Sequence, residues 1–158
     1  MIETKSGQIK YKALIIDESL RSRDTAAGRA ACSLVDHMRN MDMAVTEAIS
    51  VEDGLANIVS DMSIHAVLIS WELEGTTDGE PAAVALLREM RGRHNDIPVF
   101  LMAKSSKSIK NITEEVMSLT DEFIWMLVLG VGYLLYGFIA YRFVGQGTAD
   151  TQLHPLTE

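Results

Sequence analysis

Two carboxylates, Asp17 and Glu18, stand side by side where the apolar run YKALIID gives out, and a hydroxyl, Ser70, closes a second run, HAVLIS, ahead of WELEGTTDGEPA. A carboxylate pair at a strand end can hold a hard divalent cation such as Mg²⁺. A serine attacks an electrophile only when a base activates it, and the sequence places no base near Ser70. No Gly-x-Ser-x-Gly elbow surrounds it. The single cysteine, Cys32, falls in GRAACSLVDHM at helical spacing, where a small buried thiol is the default. One cysteine excludes an internal disulfide and a metal site built from cysteines. His37, His65, His94 and His154 show no HxxxH or HxxE spacing, so no metal ligand set is expected. Gly130, Gly132 and Gly137 lack the acidic residue that a dinucleotide fingerprint needs further along.

The 158 residues suit one domain, with 14 Lys and Arg against 22 Asp and Glu, a net charge of -8. That balance excludes a nucleic-acid binder, which needs clustered cations. The nearest basic run is KSSKSIK, with Lys104, Lys107 and Lys110, whose simplest reading is a solvated loop; the sharper one is contact with an anion or a membrane headgroup. NIT at 111–113 matches a glycosylation acceptor, but MIETKSGQIKYK has no apolar core for a secretory signal, so a cytoplasmic start is expected.

Elements that would position the candidate groups follow from periodicity. Residues 1–10 read as a polar tail. YKALIID (11–17), MAVTEAIS (43–50), HAVLIS (65–70), IPVFLMA (97–103) and the start of DEFIWML (121–127) read as strands, the apolar ones buried on both faces. Ala27, Ala31, Leu34, Val35 and Met38 fall at helical spacing. Ser50 and Asp53 predict a capped helix over SVEDGLANIVSD, EPAAVALLREMRGR predicts a third helix with Pro81 in its first turn, and NITEEVMSLT a short fourth. Strands alternating with helices at this rhythm predict βαβ units and a doubly wound five-stranded parallel sheet.

Five such units resemble the flavodoxin-like class that includes response-regulator receivers. Receivers keep an acidic pair after the first strand, a phosphate-accepting Asp after the third, a hydroxyl after the fourth and a Lys after the fifth. On that plan Asp17 and Glu18 fall at the metal pair, Ser70 at the acceptor, Ala103 at the hydroxyl and Met126 at the lysine. Three of the four functions are missing. The resemblance therefore implies a receiver-like fold with degenerate receiver positions, in which Asp17 and Glu18 are an acidic strand end and the charge balance fails. Ser70 would cap its strand or bond to local backbone, and Trp71 would serve packing or an interface.

KALIIDE, DTAAGRA, SVEDGLANI, HAVLISWEL, DIPVFLMAKSS and above all VMSLTDEFIWML also resemble the N-terminal, receiver-like wing domain of bacterial inducible ornithine/lysine/arginine decarboxylases, over roughly 11–127. That resemblance implies a non-catalytic module for subunit contacts, assembly and regulation, ahead of a core that binds pyridoxal phosphate (PLP). The Schiff-base lysine would lie in that core, so no catalytic residue, cofactor or metal is expected in this chain. The implied partners are further copies or a decarboxylase core.

After Leu127 the family pattern is lost, and FIWMLVLGVGYLLYGFIAY (123–141) carries no charge. As helix it would be about 28 Å long, close to a bilayer core. Three readings of 123–144 stay open: an apolar C-terminal helix over 128–144 packed on the sheet or a partner, a transmembrane anchor over the same residues, or the tail of a truncated gene. The anchor is set slightly ahead, because so long an uncharged run is hard to bury in a small domain, and it would tether a cytoplasmic domain to the inner membrane. Residues 145–158 form a second polar tail. The reading adopted is an assembly or regulatory module without enzyme activity of its own; the rivals are a membrane-anchored pseudo-receiver acting as adaptor or sensor, and a phospho-accepting receiver.

Overall fold

Every residue of AVLIS (66–70) and VFLMA (99–103) is buried, as strands covered on both faces require. These are the third and fourth strands of a central sheet in the computed structural model, which describes residues 2–3, 9–77, 79–93, 96–104 and 112–125. The strands are β1 (Lys12–Ile16), β2 (Ala44–Ala48), β3 (Ala66–Ser70), β4 (Val99–Ala103) and β5 (Glu122–Trp125). They lie in the order β2-β1-β3-β4-β5, every neighbouring pair parallel. The register sets Ile16 beside Ala48 and Ile69, and Ser70 beside Met102. The carboxyl ends of β1, β3 and β4 therefore share one edge.

Alternation along the strands builds two cores. Ala13, Ile15, Leu68, Phe100 and Met102 face α1 (Ala26–Asn40), which contributes Ala30, Ala31, Leu34, Val35 and Met38. Leu14, Ile16, Val67, Ile69 and Leu101 join α2 (Val51–Ser60), α3 (Ala82–Arg93) and α4 (Glu114–Leu119) through Ile58, Leu86, Leu87, Met90 and Val116. The α1 stripe differs from the expected one at its start. Ala27 is half-buried; Gly28, packed on the turn that holds Ser19 and Ser22, and Ala30, in the core, are buried instead.

Caps explain where the helices begin. Thr25 Oγ1 accepts from Gly28 N at 2.9 Å. Ser50 Oγ accepts from Asp53 N at 3.1 Å, and the Asp53 carboxylate accepts from Ile49 N at 3.2 Å, closing the expected box one residue early. Ser50→Ala is expected to lower stability by about 1 kcal/mol, read as a shift of the urea midpoint at unchanged slope.

Pro81 is not in the first turn of α3. It lies one residue ahead, in a short antiparallel pairing of Thr76–Thr77 with Glu80–Pro81, turned through Gly79 at φ +85. Residues 1–10 are likewise more than a tail, since Ile2–Glu3 pairs antiparallel with Ile9–Lys10. The apolar segment 128–144 and the tail 145–158 lie outside the described residues. Among those described, no helix is long and apolar enough to cross a membrane.

At the amino end of the sheet Lys12 Nζ pairs with the Asp61 carboxylate. The Lys12 hydrogen bond, then those from the Ser63 hydroxyl and amide, hold Asp61 at about 2, below its ordinary 3.8. A depressed carboxylate stabilises the fold above its unfolded value, and that contribution is lost as pH falls from 3.8 towards 2. The pair is partly exposed, so the gain is about 0.5 kcal/mol. Wild type and Asp61→Asn should differ by that amount at neutral pH and converge near pH 2, as followed by denaturant midpoints. A gap that persists in acid would assign the effect to packing.

Candidate functional site

Where β1 ends, Asp17 N donates to Ala48 O at 2.9 Å, and the chain tightens into a 3-10 turn over Glu18–Arg21. Asp17 caps that turn: its Oδ1 accepts from Ser19 N at 3.0 Å and from Ser19 Oγ at 2.7 Å. The same oxygen accepts from Lys104 Nζ at 2.6 Å, and Lys104 Nζ also donates to Ser19 Oγ at 2.7 Å. Carboxylate, hydroxyl and ammonium thus form a closed triangle. It is nearly dry, the Asp17 side chain being 2% exposed and that of Lys104 9%. Asp17 Oδ2 is buried with no hydrogen-bond partner among the described residues.

Lys104 overturns the reading of KSSKSIK as wholly solvated, and with it the failed charge balance. An ammonium is present, supplied from the end of β4, and it neutralises Asp17. Ala103 is fully buried among apolar neighbours and brings no hydroxyl. Met126, Lys107 and Lys110 lie outside the described residues.

Ser70 is 1% exposed. Its Oγ donates to Glu72 Oε2 at 3.4 Å, so it bonds a carboxylate and not local backbone. This also corrects the expectation that no base stands nearby; yet a hydroxyl so enclosed has no path to a substrate. Glu72 Oε1 accepts from Lys104 N at 2.9 Å, so one carboxylate ties the ends of β3 and β4 together. Trp71 adds a backbone bond to Met102 O at 2.7 Å, and its indole lies in the core, as a packing residue. Glu18 does not complete a carboxylate pair with Asp17 in function: its Oε2 accepts from Glu74 N at 3.1 Å and fastens the loop after β3.

Sequence reasoning missed Lys104 and Glu72. The spacing Ser70-x-Glu72 was a usable signal, since alternate residues of an extended chain share a side. Lys104 carried none beyond its place after a buried strand.

Among the described residues no group of three or more His, Cys, Asp or Glu is placed to hold a metal. The ammonium beside Asp17 Oδ1 fills the position a cation would need, so the residues present do not fit a divalent metal.

A parallel sheet ordered 2-1-3-4-5, with its polar groups at the carboxyl ends, defines a doubly wound domain of the receiver type. Solved receivers share this fold. The response regulator TrrA of Thermotoga maritima, in complex with Mg(2+)-BeF, aligns at TM-score 0.59 and 14% identity over 86% of this chain and 97% of its own. A response regulator receiver protein of Pseudomonas putida aligns at TM-score 0.57 and 12% identity, over 75% and 87%. In sequence, residues 26–130 match the family described as Orn/Lys/Arg decarboxylase, N-terminal domain, and the chain belongs to that family. The biodegradative arginine decarboxylase of Escherichia coli (strain K12) is 27% identical over 116 residues, 73% of this chain. The chain spans only 15% of that enzyme's length. The family match begins at residue 26, later than the expected 11.

Proposed function

We propose that this chain is a non-catalytic assembly and regulatory module of a PLP-dependent basic amino-acid decarboxylase. The observation that carries the reading is the closed end of the sheet: a sealed Ser70 where receivers have their acceptor, and a lysine already committed to Asp17. Such an end offers surface and rigidity in place of a reaction centre. Membership of the decarboxylase N-terminal family supplies the rest. PLP chemistry would belong to a separate core. The ammonium groups of Lys12 and Lys104 are both engaged in ion pairs, which suits structural counter-ions and not a Schiff base.

Two measurements on the purified chain test this. Light scattering should give a mass above the monomer, alone or after addition of a decarboxylase core. An assay with PLP and arginine, lysine or ornithine should release no CO₂ from the chain alone. A strictly monomeric chain that ignores the core, or one that decarboxylates, would sink the proposal.

The TrrA complex invites a second reading, phosphoryl transfer to a carboxylate with Mg²⁺. Against it stand Ser70 at the acceptor position and the Lys104 ammonium beside Asp17. Acetyl phosphate is expected to leave the intact mass unchanged; a phosphoryl adduct on Ser70 or Asp17 would favour the second reading.

A further inference from the structure

We propose that Lys104 is a built-in counter-cation that keeps the carboxyl end of the sheet closed to divalent metals, and that removing its charge uncovers a latent metal site at Asp17. This stands on the side-chain geometry alone and survives if the assembly reading fails.

Four acidic residues, Asp17, Glu18, Glu72 and Glu74, lie in the segments that meet at this end of the sheet, and backbone bonds from Lys104 to Glu72 and from Glu74 to Glu18 draw those segments together. Asp17 is the most deeply placed, 1% exposed. A buried carboxylate needs a positive partner, because solvation of the ion has been lost. Either a metal or an ammonium can supply it. Here the ammonium does, touching the same oxygen that a metal would share with the Ser19 amide and hydroxyl.

The second carboxylate oxygen, Oδ2, has no hydrogen-bond partner among the described residues. A lone acceptor in a buried site has lost its water without gaining a partner. Lys104 therefore meets the net charge of Asp17 but not its full coordinating capacity. That residue of capacity is what a small hard cation could use once the ammonium is gone, taking the vacated position at Oδ1, with Oδ2 as its second oxygen and water completing the shell.

Two features make the lock permanent in the native chain. The lysine is tethered, so its effective concentration at Asp17 does not depend on solution conditions. Its own backbone N–H is also fixed to Glu72, which sets the direction in which the side chain leaves β4. The site would thus hold one state regardless of divalent cations or phosphate mimics, a fixed strut where related folds could carry a switch.

The test uses the full chain and Mn²⁺, followed by its paramagnetic signal. Wild type should bind no Mn²⁺ at this site. Lys104→Ala should bind at least about tenfold more tightly than wild type, the removed charge having been in contact with the carboxylate, and Asp17→Asn in that background should abolish the gain. Lys104→Gln, which keeps a hydrogen-bond donor of similar reach, covers the case in which the alanine variant does not fold; it too should gain Mn²⁺. Equal binding by wild type and the folded variants, or none by any, would overturn the proposal. In wild type, Mg²⁺ with beryllofluoride should leave the amide resonances of Asp17, Ser70 and Lys104 in place, and a shift in them would also overturn it.

Discussion

Lys104→Met is expected to lower the unfolding free energy by about 3–5 kcal/mol, the usual result of stripping one partner from a buried ion pair. The methionine fills a similar volume, so the loss is electrostatic: Asp17, with a side chain 2% exposed, loses its counter-ion. Asp17→Asn combined with Lys104→Met should be less damaging than the single change, because no charge is then left in the site. A double-mutant cycle on denaturant midpoints should give a coupling of about 1–3 kcal/mol. If Lys104→Met costs less than about 1 kcal/mol, in the range of exposed pairs, the triangle of Asp17, Ser19 and Lys104 is a surface contact and the closed-site reading fails.

The second large effect belongs to a residue with no polar group. A Cβ on Gly28 would lie 1.9 Å from the carbonyl oxygen of Ser22 and 2.7 Å from that of Ser19. Both are backbone atoms, so no rotamer change can make room. Helix propensity favours alanine over glycine by about 1 kcal/mol. Overlap of this size outweighs it, and Gly28→Ala should cost about 3 kcal/mol or more. The damage should also reach the site, since the 3-10 turn that must retreat from the helix carries Ser19. Amide resonances of Ser19 and Lys104 are expected to move in the variant, while those of α3 stay. A fully stable Gly28→Ala would mean that α1 and the turn separate easily.

Gly54 offers an internal comparison. A Cβ there would come within 2.5 Å of Ile16 Cδ1, the tip of a side chain rather than backbone. Ile16 is fully buried and can yield only in part. Gly54→Ala should therefore cost less than Gly28→Ala, within about 1–3 kcal/mol.

Much of the fold is written locally. The apolar runs at 66–69 and 99–103 read as strands buried on both faces, and Ser50 with Asp53 marked a helix start that the structure reproduces. The failures share a cause. Pro81 fits a first helical turn as well as a strand end, because its fixed φ suits both, and the hairpin through Gly79 decided between them. Ala27 and Ala30 are equally apolar; which one faces the sheet depends on the roll of α1, set by the close approach of Gly28 to the 3-10 turn.

The alternation of strands and helices, the family resemblance and the departures from a receiver's residues at Ser70 and Ala103 are legible in the residues alone. These are properties of single positions and short periods, which neighbours along the chain suffice to specify. What the site is became visible once the chain was folded. Asp17 and Lys104 are far apart in the chain, and the order β2-β1-β3-β4-β5 brings the ends of β1 and β4 near each other across β3. Ion pairing depends on distance and burial, and neither is defined until the sheet has closed. A lysine in a polar run thus became the counter-ion of a buried aspartate.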